Sequence, residues 1–228
     1  MHSGGKLVCM VGVDGTGKTT HARSLINEMR ARGMRVHYVW CRGSPMFILP
    51  FVQIFKRIAF RQSEISPISN EVLDSNPLKR RLLSRQLLSR VWRILLVFDA
   101  FLQVLVGVRV PVARGRIVVC DRYIFDQMVD VAADLHFSRV QAQAWATSVV
   151  YRIFPKPDLI LLLDLDEERA YARKSDSRPI AEIASRRKIY LWLSQIAPMI
   201  VIDTSDSFRL ADQEIRRCVF AFLESSPG

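Results

Sequence analysis

Apolar positions along this chain gather in short unbroken runs rather than in alternation. The runs are "KLVCMVGV" (6–13), "RVHYVW" (35–40), "GRIVVCD" (115–121), "DLILLLDLD" (158–166) and a weaker "MIVID" (199–203). A run apolar at successive positions suits a strand covered on both faces. Between the runs lie stretches rich in helix formers. "KTTHARSLINEMRAR" (18–32) predicts a helix, with Gly33 as its stop. Strand and helix signals alternate, which predicts an α/β fold, a parallel sheet with helices on both faces. No repeat, low-complexity tract or linker interrupts it, so one domain over 1–228 is expected.

The long interval between the second and third strands is the least regular part. Leu87, Val91, Ile94, Leu95, Phe98 and Leu102 recur at helical spacing, with Arg81, Arg85, Arg90 and Arg93 between them. Such arginines form either a solvated face or a binding patch. Residues 94–108 are the most apolar stretch, but a bilayer span needs roughly 20 residues. Asp99 and Gln103 also lie inside it, so a buried helix is expected.

Charge and cysteine usage narrow the partners only slightly. The formal net charge is +11, mostly from arginine, whose forked guanidinium suits phosphate and carboxylate. Phosphorylated small molecules, nucleic acid and anionic membrane all fit that charge. Cys9, Cys41, Cys120 and Cys218 contain no C-x-x-C pair, so zinc is not expected. They read as small core residues in a reducing cytoplasm. The N-terminal residues lack the charged and apolar regions of a signal peptide, which supports the same location.

Chemistry enters at "GVDGTGKT", Gly12 to Thr19. It fits G-x-x-x-x-G-K-[ST] and lies between a predicted strand and a predicted helix, as that motif requires. The glycines let backbone N–H groups line the inside of a loop. The helix N-terminus adds partial positive charge, and together they form a nest for polyphosphate. Gly12, Asp14, Gly15, Thr16, Gly17, Lys18, Thr19 and Thr20 are the ATP-binding candidates. Lys18 would reach the β- and γ-phosphates, and the Thr19 hydroxyl would coordinate Mg²⁺.

Two further signals bear on the reaction. "GRIVVCDRYIFDQ" ends an apolar strand in Asp121, a candidate ligand for Mg²⁺ or its waters, and Arg122 beside it could hold an anionic acceptor. "DEERAYARKSDSRPIAE" places Arg169, Arg173 and Arg178 on or after a helix that follows the fourth strand. Mobile arginines there could close over a transferring phosphoryl group.

"GVDGTGKTT", "VVCDRYIFD" and "PDLILLLDLDEERAYARKSDSR" resemble thymidylate kinase and its close P-loop relatives, over most of the chain except 43–110. The resemblance implies a five-stranded parallel sheet, a short lid over about 173–185, and transfer from ATP to a nucleoside monophosphate, with dTMP as the expected acceptor. It implies that Asp14 faces the acceptor's sugar and that Arg42 and Arg122 hold the acceptor phosphate. Tyr123 and Asp126 complete the acceptor-side set. Arg173 and Arg178 match the lid and join Lys18 as catalytic candidates. Some family members carry an arginine inside the P-loop; here Gly15 or Thr16 stands there, so the catalytic arginine should come from the lid.

The chain also departs from the family pattern. Asp126 stands where a serine is usual. Asp99 has no following arginine in the base-reading stretch, and an Arg-Glu-Pro-Gly-Gly-Thr stretch is reduced to "RGSP". Relaxed preference for thymine is therefore expected. Two alternatives stay open. One is a kinase of another acceptor, such as a hydroxyl, with Asp14 or Asp126 as base. The other is an ATP-binding regulator or nucleic-acid-binding ATPase using the basic surface, although no recognition motif or aromatic platform supports it. Nucleic acid and a membrane span are not expected among the partners, and self-association as a homodimer is left open.

Overall fold

Every apolar run becomes a strand: β1 (Lys6–Val11), β2 (Val36–Trp40), β3 (Ile117–Asp121), β4 (Leu159–Asp164) and β5 (Met199–Asp203). The structure, a computed structural model, describes residues 4–41, 102–146, 154–174 and 178–225. All strand pairs are parallel, in the order β2-β3-β1-β4-β5. This is the five-stranded α/β architecture expected from the alternation and from the resemblance. β1 ends two residues earlier than the apolar run because Gly12, at φ 142, turns the chain out of the sheet. β3 starts two residues later because Arg114–Arg116 are wound into a turn against the carbonyls of Val110, Pro111 and Val112.

Among the described residues the helices are α1 (Lys18–Ala31), α2 (Val110–Ala113, after a wide π-type turn over Leu105–Arg109), α3 (Ile124–Asp134), α4 (Arg139–Ala146), α5 (Glu167–Arg173), α6 (Ile180–Leu193) and α7 (Phe208–Ser225). Side chains of a strand alternate between faces, and β1 shows the result. Leu7, Cys9 and Val11 join a core with Phe125, Val129, Ile183 and Tyr190. Val8 and Met10 join another with Leu25, Met29, Ile215 and Val219. With both faces covered, no position in β1 needs to be polar. Truncating Leu25, fully buried in α1, should cost about 2–5 kcal/mol.

Cys9, Cys41 and Cys120 are buried free thiols, as expected, and Cys218 is partly exposed. The Cys120 and Cys41 sulfurs lie 3.4 Å apart. Among the described residues no helix is long and apolar enough to cross a membrane. Backbone contacts divide the chain into two compact units, residues 1–42 with 104–228 and residues 43–103. All five strands belong to the first. The amphipathic helix expected around 87–102 lies outside the described residues save for its last position, as do Arg42 and Asp99; the single-domain expectation spans them.

Candidate active site

Strand order brings the two strongest sequence signals together. β1 pairs with β3, and Met10 is in register with Asp121. The loop leaving β1 and the Asp121-Arg122 pair leaving β3 therefore open on the same rim, at the C-terminal ends of the strands, where open α/β sheets bind ligands.

The loop needs its glycines for stated reasons. A Cβ on Gly12 would collide with the Leu163 carbonyl oxygen of β4, and one on Gly15 would collide with that of Ala170 in α5. Gly15 also has φ 91, a conformation that side-chain-bearing residues rarely adopt. An arginine at position 15 would thus displace α5, which gives a steric reason for its absence. Thr16 is buried, and its hydroxyl donates to the Val13 carbonyl at 2.9 Å, closing the loop. Gly17 precedes α1 at φ 83 with no side-chain cap, and the first turn of α1 has no acidic residue. The orphan N–H groups of that turn are thus left to an anion.

Lys18 is 4% exposed and donates to the carbonyls of Gly12 at 2.7 Å and Val13 at 2.5 Å. Burial pulls its ammonium down to about 8, against the opposing pull of Asp126, Asp14 and Asp121. The Thr19 hydroxyl donates to Asp121 Oδ2 at 2.5 Å, and Tyr38 of β2 donates to the same oxygen at 2.9 Å. Asp121 Oδ1 is buried and has no hydrogen-bond partner among the described residues. An orphaned carboxylate oxygen beside a hydroxyl that keeps its lone pairs is a hard-oxygen donor set of the kind Mg²⁺ takes. The residues present fit that ion. Thr20 is exposed on the outer side of α1.

Asp14 is the meeting point of three cations. Arg122 donates to its Oδ1, Arg178 lies 3.7 Å from its Oδ2, and Lys174 lies 3.9 Å from its Oδ1. Burial alone would raise the Asp14 carboxyl, but Arg122 and Lys18 pull it down to about 2. Arg122 has φ 65, a left-handed conformation that side-chain-bearing residues seldom adopt. That turn directs its guanidinium back across the P-loop.

Asp126 is enclosed rather than open to an acceptor. Its Oδ2 accepts from the Tyr123 backbone N–H at 3.0 Å at the start of α3, and its Oδ1 accepts from the Tyr190 hydroxyl at 2.8 Å. Its Oδ1 also lies 3.7 Å from Arg122. Burial raises the Asp126 carboxyl, against Lys18 and Arg122. Burial would lower the Arg122 guanidinium, yet Asp126 and Asp14 raise it. Tyr123 is wholly buried, and its hydroxyl donates to the Pro155 carbonyl at 2.7 Å. Asp126 thus ties Arg122 to the start of α3 and to Tyr190, while Tyr123 is anchored at Pro155.

The lid arginines part company. Arg178 bridges Asp14 and Asp130, the latter at 3.2 Å. Arg173 instead donates to the Thr204 carbonyl at 2.9 Å, and Arg169 to that of Ser205 at 3.1 Å, both after β5. The expected lid span, 173–185, runs from the end of α5 into α6. Lys174, Asp130, Tyr38 and Tyr190 were not singled out by the sequence. Only Lys174, inside the expected lid span, carried a local signal; the rest reach the site through tertiary contacts.

Comparison with known proteins agrees with this geometry. The thymidylate kinase family model matches residues 76–215, more than half of the chain. A probable thymidylate kinase of Archaeoglobus fulgidus is 25% identical over 225 residues, covering 95% of this chain and 96% of that one. A probable thymidylate kinase 1 of Saccharolobus solfataricus is 26% identical over 217 residues, covering 92% and 95%. A thymidylate kinase of Exiguobacterium sp. is 24% identical over 192 residues, covering 82% and 76%. The family match begins well past the P-loop, so loop and match are independent observations, and with the sheet order and the Asp-Arg pair they lead to one statement: the chain belongs to the thymidylate kinase family.

Proposed function

We propose that the protein transfers the γ-phosphoryl group of ATP to a nucleoside monophosphate, converting dTMP to dTDP. The observation that carries the reading is the convergence of Arg122, Lys174 and Arg178 on Asp14, in the same loop as Lys18. Four cationic side chains beside uncapped helix N–H groups form a cradle for two phosphorylated molecules meeting end to end.

The residues divide the work. Loop N–H groups and the start of α1 hold the donor's phosphates, and Lys18 moves from loop carbonyls to phosphoryl oxygens. Arg122 takes the acceptor phosphate, with Arg42 as its expected partner, and Asp14 then becomes free for the acceptor's sugar. Arg178 reaches the transferring group from the far side, and Arg173, at Thr204, serves the donor's side. Thr19 and Asp121 would hold Mg²⁺, which would supply neutralisation of charge on the donor's phosphates. An acceptor phosphate is already an anion, so positioning and charge balance suffice without a strong base. Transfer to a hydroxyl has less support. Asp14, held at about 2, is a feeble base, and both oxygens of Asp126 already accept hydrogen bonds. Cytoplasmic residence and a homodimeric assembly belong to the same proposal, the latter checked by light scattering.

The test is ADP release measured across a panel of nucleoside monophosphates and nucleosides. Turnover with dTMP that is lost in Lys18→Ala, with folding intact by circular dichroism, is expected. Turnover with nucleosides alone would replace the proposal with the hydroxyl reading.

A further inference from the structure

The opposite rim of the sheet carries a second collection of positive charge that phosphoryl transfer does not use. Arg30, Arg35, Arg114 and Arg116, with Met34 and Val36, line an open concavity of about 540 Å³. These residues come from three separate stretches: the last turn of α1, the start of β2, and the turn between α2 and β3. The P-loop and Asp121 stand at the C-terminal ends of the strands, whereas this concavity stands at the N-terminal ends of β2 and β3.

The frame under the four arginines is fixed by backbone. Ile117 N–H donates to the Arg35 carbonyl at 2.9 Å, holding the β2 and β3 stretches together. Arg114 and Arg116 N–H groups both donate to the Pro111 carbonyl, at 3.1 and 3.0 Å, which winds the turn tightly. A Cβ on Gly5 would strike the carbonyls of Val112 and Arg116, so the segment leading into β1 packs hard against the same turn. Met34 N–H donates to the Met29 carbonyl at 3.0 Å and ties the end of α1 to the start of β2.

The four side chains are exposed, and among the described residues none forms an ion pair with a carboxylate. This is unlike Arg32, Arg186, Arg187 and Arg216 of the same protein, each paired with at least one. The field of the cluster is felt nearby: His37 on β2 is pushed down by its burial and then by Arg116 and Arg30. Like charges gathered on a rigid frame repel one another, and an anion relieves that repulsion. Guanidinium forks match phosphate oxygens two at a time. A volume of this size lies within the range of small-molecule sites, roughly 300–1,000 Å³, and Met34 and Val36 add an apolar wall.

We infer that this concavity is a binding site for a small soluble anion carrying two or more linked phosphate groups. Four forks exceed what a single carboxylate can engage, and linked phosphates offer more oxygen pairs than one phosphate does. The four arginines converge on one concavity rather than following a track along the surface, which favours a compact molecule over a nucleic-acid strand.

The experiment is isothermal titration of sodium tripolyphosphate into the full chain, at two salt concentrations, for the wild type, Lys18→Ala, and Lys18→Ala combined with Arg35→Ala and Arg114→Ala. The wild type should show a second class of binding beyond the P-loop. Lys18→Ala should keep it, and the added arginine replacements should weaken it at least tenfold, with circular dichroism unchanged. The Arg35→Ala, Arg114→Ala pair alone should leave kinase turnover near wild type. A single class of binding that disappears with Lys18→Ala overturns the inference, as does an affinity indifferent to the arginines. Vesicles of phosphatidylcholine with phosphatidylinositol bisphosphate form the second arm. Sedimentation with them that tripolyphosphate fails to compete away would assign the arginines to a lipid surface and overturn the soluble ligand.

Discussion

Lys18 and Tyr190 show how single side chains set the chemistry. Burial leaves the Lys18 ammonium at about 8, below its ordinary 10.5, while the phosphates of ATP favour the charged form. ATP binding between about pH 8 and 9 should therefore take up a proton, and affinity should weaken as pH rises through that window. Titration calorimetry in buffers of different ionisation enthalpy reads the uptake directly; a binding enthalpy independent of buffer at pH 8.5 would contradict it. Tyr190→Phe removes the hydroxyl that satisfies buried Asp126. Loss of a partner to a buried acceptor costs about 1–3 kcal/mol, so the melting temperature should fall. Asp126 also backs Arg122, so the acceptor's KM should rise about tenfold with kcat nearly unchanged, a split that a purely structural role would not give. Arg178→Ala should lower kcat about a hundredfold or more and Arg173→Ala far less, because only Arg178 reaches Asp14; equal losses in steady-state kinetics would reverse that assignment.

At the level of elements, the loop and the helix it touches behave as one piece. Gly15→Ala combines a left-handed backbone with a collision against α5 and should cost at least about 2 kcal/mol, along with ATP binding. Gly33→Ala is the control: φ is 75 but nothing stands near its missing Cβ, so about 1 kcal/mol is expected. Urea melts of the two variants compare them. The strands were legible because each is apolar on both faces, and the P-loop because its glycines, lysine and threonine are neighbours in sequence. Asp121 was legible as the polar end of an apolar run. Asp126 could be noticed but not placed, since its role depends on Tyr190, 64 residues later. Arg173 and Arg178 look alike along the chain and separate only when the end of α5 meets the residues that follow β5. Tyr38 was hidden in a strand pattern where only its apolar neighbours carried a signal.

On the scale of the whole molecule, the site joins β1, β3, α3 and the α5–α6 region, so ligands that fill it should stabilise the fold as a unit. A bisubstrate analogue at a hundred times its Kd adds about 2.7 kcal/mol. For a chain of this size that is a rise in Tm of about 5–10 °C. Lys18→Ala should abolish most of the rise, and calorimetry checks both. Asp14 has a further consequence, for the end of the catalytic cycle rather than its start. The cations it gathers are those a bound phosphate must share, so Asp14 competes with the product for Arg122, Lys174 and Arg178. On the proposed function, a carboxylate fixed in the loop would take them back as the product's phosphate leaves, which would make Asp14 an aid to product departure.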